Sequence, residues 1–456
     1  MTNASIGSAW GAPAGEALPK VAYGKGIHVY DAAGKRYIDA SGGPAVYCLG
    51  HANEEVNAAI AQQLARIAHG YRYTFTSDPL EQLRDLVVAA CAPKLDQVIF
   101  LSGGSEAVES ALKIALQYHS ARGQMSRRRF IARLRSWHGN TLGALSVSDF
   151  LDRRAPFEGA LLEASFVSAV NEYRPPAGVG SAQLSQYCVA ELEEEILRQG
   201  SDSIAAFIFE PVVGAAGGVV PAPAGYAAGI REVCDRHGVL LIADEVMCGS
   251  GRCGTWRALE HDGVIPDIMA VAKGLGGGYL PLGATLYQRF VADAILAYGG
   301  RVLTGHTFTG HTTACAAGVA VQTIIKRDRL IERVRADGPV FLRMLREVLK
   351  PIEAVGDIRG RGFFVGIEFV ANRATRQPFD PAAQLAHRIG RAAAHDGLLC
   401  YPSMGNVDGI CGDTVILAPP YNTPLDQLRE IAELFAHSVR RAADELDASA
   451  STQSKS

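Results

Sequence analysis

The chain has no surplus of either charge: 44 basic residues stand against 47 acidic ones in 456 residues. That balance excludes a general electrostatic field for nucleic acid or an acidic membrane surface. The one basic cluster, Arg127-Arg-Arg129 with Arg133 and Arg135, has no aromatic residues interleaved as a single-strand binder would. It reads as a solvated junction between a helix and a strand. No CxxC pair occurs among the nine cysteines, so neither a zinc half-site nor a disulfide framework finds its usual spacing. Cys248-Gly-Ser-Gly-Arg-Cys253 is followed by no complementary Cys/His cluster, and no metal is expected. Reduced thiols in a cytoplasmic protein are the expectation. No apolar run reaches the roughly 18 residues that a membrane helix needs. The start, Met1-Thr-Asn-Ala-Ser-Ile-Gly-Ser8, lacks the charged head and apolar core of a signal peptide.

What the chain does contain is glycine (49), proline (21) and 48% apolar residues, a composition suited to an α/β protein with many short loops. Its length is enough for a large core divided between two or more lobes. Residues 1–20 read as an arm, residues 26–39 as two short strands about a turn, and residues 53–68 as a helix. Helical patterns over 78–91, 105–121, 179–199 and 225–237 then alternate with strand patterns over 96–101, 129–134, 204–210 and 239–243. Such alternation predicts a mainly parallel sheet covered by helices. A helix over 311–327 follows. From Asp328 come a long helix, a glycine-punctuated strand over 361–369, a further helix and a final strand-helix pair. The Ser/Thr-rich tail at 449–456 is expected to fray.

Chemistry concentrates where strand patterns end. Lys273 is delivered by the apolar run that begins at Ile268 and passes directly into glycines, and Asp244 closes the apolar segment Gly238-Val-Leu-Leu-Ile-Ala-Asp244. In an open α/β sheet, ligands bind beyond such strand ends. The lysine can form a Schiff base with an aldehyde cofactor, and the acid can pair with a pyridine nitrogen. Ser102-Gly-Gly-Ser105 follows a strand and opens a helix, so backbone N–H groups there can hold a phosphate, with a hydroxyl from Ser102 or Ser105. It is no Walker A loop, because the lysine before Ser/Thr is missing. Trp137 or His138 can cover an aromatic ring, and Gly139 permits close backbone approach. Glu210 ends the strand preceding the one that carries Asp244, and two acids there can form a polar network beside a cationic ring.

Together, Ser102-Gly-Gly-Ser-Glu-Ala107, Trp137-His-Gly139, Glu210-Pro-Val212, Asp244-Glu-Val246 and Ala272-Lys-Gly-Leu275 resemble the motifs of the class III pyridoxal-phosphate aminotransferases of fold type I, the amine and ω-amino-acid transaminases among them. The similarity extends over almost all of residues 25–440. It implies an α/β fold with a large domain built on a mainly parallel seven-stranded sheet, and a small α+β domain. The implied division is 1–60 for the arm and part of the small domain, 61–328 for the large cofactor-binding domain and 329–456 for the C-terminal small domain. The implied cofactor is pyridoxal 5'-phosphate (PLP). By the same resemblance Lys273 bonds to the cofactor and shuttles the substrate proton, and Asp244 keeps the pyridine nitrogen protonated. Val246 and Trp137 sandwich the ring beside His138 and Gly139, and Gly104 and Ser105 bind the phosphate. Glu210 orients polar groups or restrains an active-site arginine. Thr307, in Gly305-His-Thr-Phe-Thr-Gly-His311, reaches the phosphate of the other subunit, which implies a homodimer with shared active sites. Thr312 stands where proline is common in the family.

The implied reaction has two halves: a primary amine or ω-amino acid converts PLP to pyridoxamine phosphate, and a keto acid such as pyruvate then takes the amino group. A racemase or aminomutase using the same lysine, or a PLP-binding protein without turnover, are the alternatives. Many pyruvate-using relatives place an arginine after an apolar segment near the C-terminal domain. Here Gly397-Leu-Leu-Cys-Tyr-Pro402 puts Tyr401 there, which donates one hydrogen bond but does not replace a bidentate cation. Arg72 and Arg359 are the candidate carboxylate partners, and Tyr47 and Tyr73 are candidate pocket residues with room for an aromatic or amphipathic amine.

Overall fold

The computed structural model describes residues 18–453; most of the N-terminal arm and the end of the Ser/Thr-rich tail lie outside the described residues. The first described elements, β1 (Val21–Lys25), β2 (His28–Asp31) and β3 (Arg36–Asp39), form an antiparallel meander. Its open edge takes Leu398–Leu399 in parallel with β3. Residues far apart in sequence thereby share one sheet, and Ile27 and Ile38 join a core built mostly from the C-terminal region. α1 (Glu54–Arg66) begins where the Asn53 side chain accepts from the amides of Glu55 at 3.1 Å and Val56 at 3.2 Å, satisfying donors that the helix cannot pair internally.

The large sheet uses β4 (Gln97–Leu101), β5 (Arg129–Arg133), β6 (Ala164–Val167), β7 (Ile204–Phe209), β8 (Leu240–Asp244), β9 (Ile268–Val271) and β10 (Gly283–Tyr287). Their order is β4-β10-β9-β8-β7-β5-β6, and only β10 runs antiparallel to its neighbours. The mainly parallel sheet expected from the alternating pattern is therefore present, with the seven strands that the resemblance implies. β7 is Ile-Ala-Ala-Phe-Ile-Phe and buried at every position, as a central parallel strand with helices on both faces requires. Phe207 and Phe209 pack into one core, while Ala206 and Ile208 pack into another with Ala107, Val108 and Ala111 of the helix Gly104–Ala121. Since strand side chains alternate between faces, the next residue on the helix-facing side after Ile208 is Glu210. The same parity carries β8 from Leu240 and Ile242 to Asp244.

A second antiparallel sheet orders Val355–Arg361, Phe364–Phe369, Asp413–Leu417 and Tyr401–Met404. The glycine-punctuated strand expected over 361–369 is present as Phe364–Phe369, the second arm of a hairpin whose first arm, Val355–Arg361, was not expected. Gly362, at φ +62°, makes its turn, and a Cβ there would lie 2.6 Å from the Arg252 carbonyl oxygen. The strand patterns noted in the sequence also omit β6, a short edge strand. The tail expected to fray is helical as far as Gln453, the end of the last helix, which starts at Leu425. The arginine cluster is the clearest correction, because two of its members are interior groups. Arg127 is 6% exposed and donates to the carbonyls of Ser201, Ile204 and His237. Arg133 is 1% exposed, lies over the rings of Phe209 and Tyr226 and donates to the Glu210 carbonyl. Their guanidiniums add donors to main-chain carbonyls at the ends of neighbouring elements.

Candidate active site

In the parallel pairing of β7 and β8, Ala243 sits opposite Phe209, so Glu210 and Asp244 leave adjacent strands at the same level. On the other side Asp244 sits opposite Ala270, three residues before Lys273. The carboxyl edge of the sheet thus gathers two acids and an amine in the crevice where α/β sheets bind ligands.

Lys273 starts a turn of 3-10 helix and has φ +46°, a left-handed conformation that costs an ordinary residue about 1–2 kcal/mol. The turn is held by the bond from the Gly277 amide to the Lys273 carbonyl at 2.9 Å. Gln322, on the helix Thr312–Arg327, donates Nε2 to the carbonyls of Gly274 and Leu275. The lysine is partly exposed, in the cavity it lines. Burial pushes its pKa down to about 8, against the opposing pull of Asp244 and Glu210.

Asp244 is 3% exposed, with Oδ2 2.7 Å from His138 Nδ1 and Oδ1 accepting from the Val246 amide at 3.0 Å. The His138 amide donates to Ser148 Oγ at 2.8 Å, and that hydroxyl donates to the Ala144 carbonyl at 2.8 Å. Glu210 Oε1 accepts from the Trp137 amide at 3.0 Å and Oε2 from the Gly214 amide at 2.7 Å. Its carboxylate therefore orients main chain beside the cavity, whereas its carbonyl, not its carboxylate, receives Arg133. Burial raises the Glu210 pKa, with His138 opposing and Asp244 adding to the rise.

The helix Gly104–Ala121 opens toward the same cavity, and first-turn N–H groups have no partners within a helix. Glu106 folds back to accept from the Ser102 amide at 2.9 Å. Ser105 Oγ accepts from the Asn140 amide at 2.9 Å, which leaves the hydroxyl proton as a donor. Gly139 has φ +145°, and a Cβ there would lie 2.8 Å from Ser105 Oγ, so this close approach requires glycine. Gly104 meets Val246 closely, since a Cβ on Gly104 would lie 2.8 Å from Val246 Cγ1. Trp137 forms another part of the wall, edge-on to Phe150 with ring centroids 5.9 Å apart.

One cavity of about 400 Å³ brings together Gly104, Ser105, Trp137, His138 and Gly139 with Glu210, Asp244, Val246 and Lys273. Val46, Met247 and the segment Leu280-Pro-Leu282, which the sequence reading did not single out, also line it. Met247 directly follows Val246 and Val46 precedes Tyr47, so adjacency to noted residues was the available signal. A larger groove of about 670 Å³ runs past Lys113 and Arg129 and contains none of these groups.

Other sequence candidates lie outside the lining. Tyr47 borders it, packed on Gly278 and with its ring 4.4 Å from His51. Tyr401 packs into an apolar cluster with Ala45 and Met247. Arg72 donates to the Tyr73 hydroxyl at 2.9 Å, lies over that ring and packs against Gly305. Thr307 is exposed on the adjoining turn. Arg359 is committed to Glu368 at 2.6 Å, Asp357 at 3.0 Å and the Gly217 carbonyl at 2.9 Å, so it is not free to receive a substrate.

The family model described as aminotransferase class-III matches residues 12–439. The chain belongs to the class III aminotransferases. An aminotransferase of Gibberella zeae is 40% identical to it over 412 residues, 89% of this chain and 81% of that protein. The adenosylmethionine-8-amino-7-oxononanoate aminotransferase of Nitratidesulfovibrio vulgaris is 35% identical over 91% of this chain and 75% of its own. An amine transaminase from an uncultivated Pseudomonas species, solved in its PLP-bound form, is 36% identical with a TM-score of 0.86, covering 95% of this chain and 96% of that one. Pyridoxal phosphate is accordingly the aminotransferase's cofactor, and the cavity fits it. An interior amine suits its aldehyde, a buried acid its ring nitrogen, and a helix N-terminus beside a free hydroxyl donor its phosphate. Among the described residues, no helix is long and apolar enough to cross a membrane.

Proposed function

We propose that this class III aminotransferase moves an amino group from a primary amine or ω-amino acid to a keto acid such as pyruvate, in two half-reactions. The observation that carries the assignment is the amine of Lys273 set in one cavity with Asp244, next to a wall formed by Trp137 and Val246. Pyridoxal phosphate, when bound, supplies the electron sink and carries the amino group from donor to acceptor. Lys273 holds the cofactor and, once displaced by the donor, moves the proton at the substrate carbon; a pKa near 8 leaves a useful fraction of Nζ able to accept it. Asp244 would hold the proton of the ring nitrogen, and His138 Nδ1 fixes its carboxylate through Oδ2. Glu210 holds the Trp137 main chain and so sets that ring's position. Gly104 and Ser105 receive the phosphate, and Val246 and Trp137 exclude water from the ring faces.

The same reading makes the enzyme a homodimer in which Thr307 reaches the partner's phosphate. The surface near Thr307 supports this: Tyr73 and Phe75 are each 65% exposed and Phe308 55% exposed, a density of open aromatic surface that suits a partner. The nine free cysteines support a reducing, cytoplasmic setting.

Absorbance of the purified holoenzyme, followed while a panel of primary amines and ω-amino acids is added and then pyruvate, tests the proposal. Conversion of the cofactor to its amine form by a donor, reversed by pyruvate with release of alanine, is the expected result. Isomerisation of the donor without a co-substrate, or an unchanged spectrum with every donor, overturns it.

A further inference from the structure

The cavity contains no cation suited to a keto acid's carboxylate, because Lys273 is reserved for the cofactor. Most arginines near the strand ends are already used. Arg133 serves the Glu210 carbonyl and Arg135 pairs with Asp149 at 3.0 Å. Arg252 donates to the carbonyls of Phe363 and Pro419, and Arg359 is locked to Glu368.

Arg153 differs from all of these. It lies on the short helix Leu151–Arg154, and its guanidinium sits 5.0 Å from the centroid of Trp137, a cavity wall, and 5.4 Å from that of Phe150. It is exposed and has no carboxylate within ion-pair distance among the described residues. Its neighbour Arg154 shows the alternative fate, bound to the carbonyls of Leu145, Ser146 and Ser148. Tyr401 approaches from the other sheet. Its ring packs in the cluster that contains Met247, another cavity wall. Burial raises the Tyr401 phenol's pKa, and the nearby charge of Arg153 opposes the rise. A guanidinium and a phenol from separate parts of the chain therefore meet beside Trp137, with one strong cation lacking an anion.

We infer that Arg153 receives the carboxylate of the acceptor keto acid at the rim of the cavity, with the Tyr401 hydroxyl as an additional donor. This rests on the proposed transfer to a keto acid and names the residue that selects it. A planar guanidinium takes a carboxylate through two parallel hydrogen bonds, and the flat Trp137 and Phe150 rings hold it by cation–π attraction without neutralising it. Arginine from this helix thus supplies the bidentate cation that Tyr401 by itself does not.

The test compares wild-type holoenzyme with Arg153→Gln and Arg153→Lys, using one amine donor and two acceptors, pyruvate and the carboxyl-free aldehyde propanal. Arg153→Gln is expected to raise KM for pyruvate about 10- to 100-fold more than KM for propanal, the range for losing a hydrogen-bonded charge partner. Arg153→Lys should recover part of that difference. Propionate binding, measured by calorimetry, should weaken in parallel in Arg153→Gln while affinity for PLP stays level, which separates loss of the cation from displacement of Trp137. An equal change for both acceptors, or propionate binding that ignores the substitution, overturns the role of Arg153. Failure of the wild type to transfer to either acceptor overturns the proposed reaction instead, and calorimetry with propionate still reads Arg153 in that case.

Discussion

Gly104→Ala probes how closely the cofactor slot is built. Gly104 is the first residue of the helix Gly104–Ala121, and an added Cβ would lie 2.8 Å from Val246 Cγ1 and 3.2 Å from Cγ2. Carbon atoms rest at about 3.5–4.0 Å, so the valine must retreat by roughly 0.7–1.2 Å. Its backbone yields little, because the Val246 amide is tied to Asp244 Oδ1 at 3.0 Å. The side chain therefore shifts within the slot it walls, or drags the ring-side acid with it. Overpacking of this size costs about 1–3 kcal/mol, while alanine is favoured over glycine in a helix by about 1 kcal/mol. The two partly offset each other in the apoprotein, leaving a net loss of about 0–2 kcal/mol. The offset does not help the cofactor, whose ring needs the space. Affinity for PLP is expected to fall about 5- to 150-fold, the same 1–3 kcal/mol read as binding. Fluorescence titration of apoprotein with PLP measures the affinity, and urea denaturation of the apoprotein measures the stability. Unchanged PLP affinity in a folded variant refutes the assignment of Val246 to the ring slot and of Gly104 to the phosphate beside it.

Lys273→Ala is expected to abolish covalent holding of PLP and nearly all amino transfer; substantial transfer by that variant, measured with the best donor, excludes Lys273 as the nucleophile. Loading of apoprotein with PLP requires the neutral amine, so its rate should rise with pH through about 8 and level above it. A midpoint near the ordinary lysine value of about 10.4 refutes the effect of burial. Asp244→Asn keeps the shape but removes the charge beside His138, and should slow transfer about 100-fold while the thermal midpoint moves little. Normal proton exchange at the donor carbon in that variant defeats the electronic role. Glu368→Gln leaves Arg174 without a carboxylate among the described residues and Arg359 with Asp357 alone, a loss of about 3–5 kcal/mol in urea denaturation, since Glu368 itself is fully buried. Burial opposes ionisation of Glu368, but the two arginines outweigh it and hold its pKa below the usual range. Its stabilising contribution should therefore be complete above the ordinary carboxylate pKa and disappear only as pH falls through the depressed value.

Much of the large sheet was legible because its signals are local. β7 carries an unbroken apolar run, and the helices on either side show amphipathic spacing that any central parallel strand and its cover must have. The motifs of the cavity were legible for the same reason, since each sits where a strand pattern stops and a glycine, acid or lysine begins. One edge strand, β4, was read over 96–101, but the other was not. β6, with four residues and one paired edge, has too short a pattern to stand out, and the hairpin at 355–369 hid its first strand under alternating charge and glycine.

Local periodicity and strand-end chemistry were thus properties of the chain, written in neighbouring residues. Which long side chains are interior was not. Arg127 and Arg133 read as surface charge until strand ends distant in sequence supplied carbonyls for them. Arg359 read as a candidate carboxylate partner until Glu368 met it across the sheet. Arg153 attracted no attention until folding carried it over Trp137 and beside Tyr401. The physical reason is common to all four: a guanidinium on a flexible stem takes its role from whatever the packed fold places within its reach.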